Sequence, residues 1–539
     1  MARHSTQCVL AFLTASCAFA QPVITSTRVV NSASYISQGL PGSGIAQGSI
    51  FTIFGSRLGP NTILQAGPLP LQTSLGGTSV AVTVSGQTVK ALILMAFSSQ
   101  VNALLPSTTP VGNGTVTVTY NNQASTPEPV QIVSASFAPY TFSSGGYGQA
   151  LATDLNYQVN SIIHTYHPGD WVTLWGTGLG PINGDDSTAP PVGNLGSPTV
   201  HVGNASLTPY YAGRSAQYPG LDQVAFQVPS GIQGCYVPVA VEEYGSVGGN
   251  ATIAVSTSGQ TCSDSILGQD LIGKLAAGGT VDFGFVQLYA IVLRNESLPG
   301  GINVPDFGQA TFSEFTPQTA GLASYGVSQG YCLAYVNGPD MSPAQLDAGP
   351  GITVRGSSTA MLPQLFGGFY YSLFNTGAQF FWSGLEYTAT GPGGTKVGAF
   401  SVNDTTAIAS AFLSTAAGQQ IIAGQTLSLS GDLTVTWTGG NLSLQNGQVT
   451  IAGISIATGG NLDGAFMCTA AVSAQSFTIP KWVLSTLPPT GTGYIGIAPY
   501  PTGYIWIGQS NNPVTFQATG LDRGILMDEF FNGLPVYFK

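Results

Sequence analysis

Gly326-Val327-Ser328-Gln329-Gly330 has the G-x-S-x-G spacing of a nucleophile elbow. In such an elbow a tight turn between a strand and a helix presents a serine to an acyl substrate. The chemistry needs a carboxylate and then a histidine later in the chain, and the last histidine is His201. With no base to follow Ser328, the match reads as a turn. Gly491-Thr492-Gly493-Tyr494-Ile495-Gly496 fits G-x-G-x-x-G, but no helix follows to receive a pyrophosphate, so it reads as a turn feeding a strand. His164 and His167 stand three apart without a third ligand, which suits a polar loop better than a metal centre. Asp185 and Asp186 could offer oxygen ligands to calcium, against the simpler role of acids in a solvated turn. Glu242 and Glu243 are adjacent in a strand-like run, so their side chains leave opposite faces and cannot flank one glycosidic bond. No cofactor is implied by any of these patterns.

Stacking chemistry is the better-supplied alternative. Trp382, Tyr387, Tyr494, Tyr500, Tyr504 and Trp506 are candidates to cover the apolar faces of sugar rings. The competing use of each ring is to fill a core, where aromatic burial contributes most.

The elements that would carry these residues are strands. Charged residues are only 6% of the 539, and 72 are glycine. Scarce Lys and Glu disfavour helical bundles, whereas Gly, Thr, Ser and Val suit strands joined by tight turns. Hydrophobics at 43% and aromatics at 10% argue against disorder. The formal net charge of −11, without basic clusters, excludes a nucleic-acid binder, because phosphate binding rests on Lys and Arg. The length suggests roughly three to five units.

Residues 1–20 read as a secretory signal: Arg3 and His4, a short apolar run from Cys8 to Leu13, then Ala18-Phe19-Ala20 before Gln21. Lipidation at Cys17 is the alternative. No later run has the roughly 18 apolar residues of a spanning helix. Beyond the signal stand Cys235, Cys262, Cys332 and Cys468, an even set that suits disulfides in an exported chain. A strand starting at Cys235, turning near 245–249 and returning through 251–256 brings position 262 back towards 235. Cys235–Cys262 is therefore expected, with Cys332–Cys468 by elimination. Four buried thiols are the alternative; a zinc site lacks the usual Cys/His spacing.

An internal repeat organises the first half. Gly48-Ser49-Ile50-Phe51-Thr52-Ile53-Phe54-Gly55-Ser56-Arg57-Leu58-Gly59-Pro60 returns 121 residues on as Gly169-Asp170-Trp171-Val172-Thr173-Leu174-Trp175-Gly176-Thr177-Gly178-Leu179-Gly180-Pro181. Leu75-Gly76-Gly77-Thr78 is echoed at Leu195-Gly196-Ser197-Pro198-Thr199, and Gln100-Val101 at Gln223-Val224. Three matches in one order mean duplication. Bulk on both faces of 50–54 marks a buried sandwich strand, and alternation over 115–120 marks a half-wet one. Short strands every 8–12 residues suggest β-sandwiches. With the opening Val29-Val30-Asn31-Ser32-Ala33-Ser34-Tyr35, these motifs resemble the uncharacterised repeat domain of secreted acidobacterial (Solibacter-type) proteins, over about 28–257. That domain is similar to the TIG branch of immunoglobulin-like folds. The resemblance implies export and a sandwich fold and brings no catalytic residues. The second copy lacks the Asn-x-Ala-Ser-Tyr opening.

In the second half 281–288 reads as a strand, Ser342-Pro343 as the start of a short helix, and 351–355 as a strand. Strands near 433–440, a short helix at 481–487, and a hairpin with arms 494–497 and 504–507 are also expected. This half is similar to C-terminal regions of the same acidobacterial proteins. The expected architecture is all-β: signal peptide 1–20, Ig-like modules 21–142 and 143–262, a β-rich unit 263–396 and a sandwich-like unit 397–539. The expected role is a non-catalytic extracellular, cell-surface or periplasmic binding or display protein directed at glycan or protein surfaces. A secreted carbohydrate-active enzyme with its site in the C-terminal half, or a structural protein self-associating through strand edges, are the rivals.

Overall fold

The computed structural model describes residues 21–262, 265–293, 306–323, 326–335, 343–374, 380–381, 384–406, 412–415, 421–444, 447–460, 462–495 and 498–539. The signal-peptide reading of 1–20, with the Cys17 alternative, lies outside them, as does Trp382. The described chain is mostly strand, arranged in several sheets, with tandem Ig-like sandwiches in its N-terminal half.

Both copies of the repeat build the same pairing. Ile50–Ser56 pairs antiparallel with Gln100–Leu104, and Trp171–Thr177 with Asp222–Gln227. Opposite these lie Thr78–Val84 on Gly112–Tyr120 in the first copy, and Thr199–Val202 on Gly234–Glu243 in the second. Phe51, Ile53, Val82, Val101, Val116 and Val118 fill the first sandwich; Leu174, Val224, Phe226, Val239 and Ile253 fill the second. Thr115, Thr117 and Thr119 stay half-exposed while Val116 and Val118 are buried, the alternation expected of a strand with one wet face.

The opening missing from the second copy has a structural reason. Asn31 Nδ2 donates to the carbonyls of Ser136 (3.1 Å) and Thr177 (3.3 Å), and Ser32 Oγ lies 2.9 Å from Tyr140 Oη. The motif grips the link between copies, a task the second copy does not have. In its place the second copy pairs two short pieces, Ala138–Pro139 and Ala152–Thr153, with Trp171–Thr177.

The repeated glycines serve the same joint. Arg214, fully buried, donates to the carbonyl of Gly48 in the first copy and of Gly180 in the second, and pairs with buried Asp222. Asp222 also accepts from the N–H groups of Gly178 (2.7 Å) and Leu179 (2.8 Å). Burial pushes the Asp222 carboxyl up, and the guanidinium and those N–H groups oppose the shift. Gly48 holds φ +68°, and a Cβ there would collide with the guanidinium. Asp186 completes the joint, accepting from Ser107 N (2.7 Å) and Ser107 Oγ (2.8 Å). The calcium reading of Asp185 and Asp186 gives way to this: Asp186 spends both oxygens on the first copy, and Asp185 caps the N–H of Ser187.

C-terminal to the repeat, one extended sheet dominates. Arg523–Phe538 runs parallel to Val281–Leu293 (Phe283 opposite Arg523, Leu293 opposite Gly533) and antiparallel to Gly503–Ser510. From that centre the sheet continues through Phe307–Phe315 and Phe369–Leu373 on one side, and through Gln448–Ile456, Asp463–Ala471 and Cys332–Tyr335 on the other. The expected divide at 396/397 falls between Glu386–Gly391 and Phe400–Thr405, which pair with each other, so the two C-terminal units join in one continuous sheet. Disulfides Cys235–Cys262 and Cys332–Cys468 are closed; the second joins residues directly opposite each other across two strands.

Two local expectations need correction. Ala344–Gln345 is a strand on Phe307–Phe315 rather than part of a helix, because pairing with an open sheet neighbour outweighs the Ser-Pro start signal. Thr492–Ile495 pairs with Ala498–Pro501, while Tyr504 lies opposite Ile454 and Pro535, so the arms near 494 and 504 are not one hairpin. The short helix near 481 is present as Lys481–Leu484.

Arg214→Ala should cost about 3–5 kcal/mol, because it leaves a buried carboxylate without its partner. Arg214→Lys should rescue little, since one ammonium cannot replace a planar fork that reaches three acceptors. Urea unfolding followed by tryptophan fluorescence checks both; near-wild-type midpoints would refute the role of the joint.

Candidate functional site

A cleft of about 1100 Å³ opens between the second Ig-like module and the large sheet. Its floor is a consequence of register. Residues paired across a sheet share a face, and the shared row here runs Ser510, Glu529, Tyr289, Phe307, with Met527, Gln287 and Gln309 as the adjacent row. Gln448, Thr450, Met467 and Thr469 extend the floor, and Tyr335 on Cys332–Tyr335 closes one side. The wall is the start of the hairpin Gly234–Glu243 with Ser246–Val255, fixed by Cys235–Cys262. Exposed Asn204, Gln233, Ser258, Gln269 and Gln329 form the rim, so the cleft is open to solvent.

The floor is preorganised. Gln309 Nε2 donates to Gln287 Oε1 at 2.9 Å, and both amides hydrogen-bond to the Tyr289 hydroxyl. The Tyr289 ring stacks on Phe307 at 4.4 Å. Tyr335 Oη lies 3.7 Å from Met467 Sδ. Glu529 is 8% exposed. Burial pushes its carboxyl up to about 7, against a hydrogen bond from Ser510. Burial, and then the charge of Glu529, also raise both phenols: Tyr335 to about 12, and Tyr289 well above its usual 10. Glu529 is the one carboxylate lining the cleft among the described residues, and no Lys, Arg or His lines it.

Ser328 stands at this cleft without the geometry of a nucleophile. Its Oγ accepts from Tyr236 N at 2.9 Å, and the Gly326-to-Gly330 turn leads into the strand Cys332–Tyr335 rather than a helix. The histidines are engaged in the second module. His164 lies 3.8 Å from Asp154, and His167 meets Asp170 and the Gly259 carbonyl. His201 bonds to Glu242 at 2.9 Å and stacks on Trp482. Glu243, on the opposite face from Glu242, is buried, and burial pushes it up to about 7. Among the described residues no three His, Cys, Asp or Glu side chains gather to hold a metal.

Of the six stacking candidates, Tyr387 is buried, with its ring 5.5 Å from Phe381 in a core, so it offers no platform. Tyr494 is exposed and Tyr500 half-exposed on their short hairpin. Tyr504 and Trp506 are half-buried on the face that also carries Glu529, with Trp506 beside Phe531 at 6.5 Å. Trp382 lies outside the described residues. Glu529, Tyr289, Gln287, Gln309 and Tyr335 were not singled out in the sequence. The alternation Phe285-Val286-Gln287-Leu288-Tyr289, which sets Gln287 and Tyr289 on one face, is the signal that could have marked two of them.

No protein-family model matches the chain, nor does any curated protein. Among solved structures it is similar to domains 4–9 of the surface layer protein SbsC, at 13% identity, covering 93% of this chain and 83% of that one, with a TM-score of 0.17. It is also similar to domains A168–A170 of titin, at 9% identity over 71% and 94%, TM-score 0.13. A third is SGBP-B from a complex xyloglucan utilization locus in Bacteroides uniformis, at 10% identity over 92% and 99%, TM-score 0.15. Likenesses this distant carry no functional weight.

Glu529 also ties stability to pH. Its folded-state pKa stands above the usual 4.5, so between about pH 4.5 and 7 the folded chain keeps a proton that the unfolded chain releases. Stability therefore falls as pH rises through that window. Glu529→Gln should stabilise the protein at pH 8 by up to about 3 kcal/mol and by almost nothing at pH 4.5. Parallel urea titrations of both proteins at the two pH values measure this, since any contribution from Glu243 cancels in the difference. An equal gain at both values would rule the burial effect out.

Proposed function

We propose that the chain is an exported, non-catalytic binding protein whose tandem Ig-like modules present the cleft to carbohydrate. The observation that carries this is the lining. Gln287, Gln309, Gln448, Thr450, Thr469 and the two tyrosines offer amide, hydroxyl and ring surface in a concave, open site. Amides that donate and accept match vicinal hydroxyls, and rings match the C–H faces of a pyranose. Glycoside hydrolysis needs two carboxylates about 5–9 Å apart, and the described lining supplies only Glu529, which favours binding over the enzyme reading. Tyr504 and Trp506, on the same sheet face, extend the surface along which a longer glycan would lie.

Export is supported by the signal-like 1–20 and by two disulfides, which persist in oxidising compartments. In this reading the chain belongs with the acidobacterial secreted repeat proteins that its N-terminal motifs resemble. Its modules divide at 142/143 and 262/263, and the rest of the chain follows as one sheet-joined region. No helix among the described residues is long and apolar enough to cross a membrane.

A glycan array and polysaccharide pull-down on residues 21–539 should show retention on at least one carbohydrate. The double substitution Gln287→Ala/Gln309→Ala should weaken that retention at least tenfold while leaving the circular dichroism spectrum unchanged. No retention on any carbohydrate, or full retention by the variant, would sink the reading.

A further inference from the structure

Glu529 is at odds with a site made only for neutral sugars. A carboxylate 8% exposed, with no basic side chain lining the same cleft among the described residues, has no described cation to offset its desolvation. A buried anion left so costs several kcal/mol, and proteins ordinarily place Arg or Lys beside it. Alone, the group meets that cost by holding its proton; a bound cation would supply the missing counter-charge and favour the ionised form. The surroundings suit a cation. Tyr289 is the register partner of Glu529, so one electron-rich ring stands beside the carboxylate, and Tyr335 lines the same cleft. That pairing is how proteins hold ammonium groups. The amides of Gln287, Gln309 and Gln448 remain for uncharged hydroxyls along the same floor.

Resting on the carbohydrate reading above, we infer that the cleft selects sugars carrying a free protonated amine, with the ammonium on Glu529 beside Tyr289 and the hydroxyls on the glutamines. An N-acetylated sugar has lost the charge and gained bulk at the same atom. A uronic acid would add a second anion beside Glu529. Both are discriminated against by a group already in place.

The test is calorimetric titration of residues 21–539 with three probes of equal length: a short β-1,4 glucosamine oligomer with free amines, its fully N-acetylated counterpart, and a β-1,4 glucose oligomer. The free-amine oligomer should bind at least tenfold more tightly than either of the others. Glu529→Gln should erase that advantage, so that the free-amine and glucose oligomers bind the variant alike. The acidic surface attracts polycations generally, and one substitution hardly changes it, so an advantage that survives Glu529→Gln marks surface attraction and overturns the assignment. Equal or tighter binding of the neutral or acetylated probe by the unmodified protein overturns it too, without needing the variant to fold, and leaves the carbohydrate reading standing. Failure of all three probes, and of every carbohydrate on the array, removes that reading as well.

Discussion

One buried guanidinium fixes how the N-terminal half is built. Arg214 reaches a carbonyl from each copy of the repeat and the carboxylate of Asp222, with solvent excluded from all three contacts. Taking a charge out of water is costly, and it is sustained only where every partner is in position. The two sandwiches are thereby held in one relative placement instead of being left as beads on a linker. The glycine motif that marks the duplication is the backbone of this contact: Gly48 and Gly180 supply the two carbonyls, and a Cβ at Gly48 would collide with the guanidinium. The second module in turn supplies the wall of the cleft, so the geometry of the joint reaches the site through a rigid body.

The duplication was legible because its signals are local. Glycines at fixed offsets, a strand of seven residues and a terminating Leu-Gly-Pro survive as text. Asn31 was visible as part of a motif, yet its role in gripping Ser136 and Thr177 belongs to a pair of residues more than a hundred positions away. The cleft was not legible at all. Glu529 and Tyr289 are neighbours only because Arg523–Phe538 lies parallel to Val281–Leu293, and nothing in either segment names its partner or its register. Exposed rings drew notice for their type, but Tyr387 shows that type alone does not separate a platform from a core.

Where local signals misled, a longer-range contact had decided otherwise. Ser342-Pro343 could have opened a helix, but the open edge of Phe307–Phe315 offered Ala344–Gln345 a strand partner. Tyr494 and Tyr504 carry similar aromatic strands in close succession, yet Gly503–Ser510 is claimed by Gln448–Ile456 and Arg523–Phe538 together. Central strands are buried on both flanks by hydrogen bonds, and such a position outweighs a tight local turn.

The parallel pairing at the heart of the sheet also sets an order of events. Phe283 and Arg523 are opposite each other although 240 positions separate them in the chain. The first Ig-like module closes over contacts within its own hundred-odd residues and the second draws only Val327, Tyr331 and Leu333 into its buried core from beyond it, whereas the cleft floor waits for its last strand. Contacts over such a span form slowly, because the intervening chain must be confined first. A chain emerging from its N-terminus therefore completes its modules early and acquires its binding floor last. Until then Val281–Leu293, paired with Phe307–Phe315 on one side, keeps its other edge open, and the interval between synthesis and closure is when this protein is most exposed to aggregation and proteolysis.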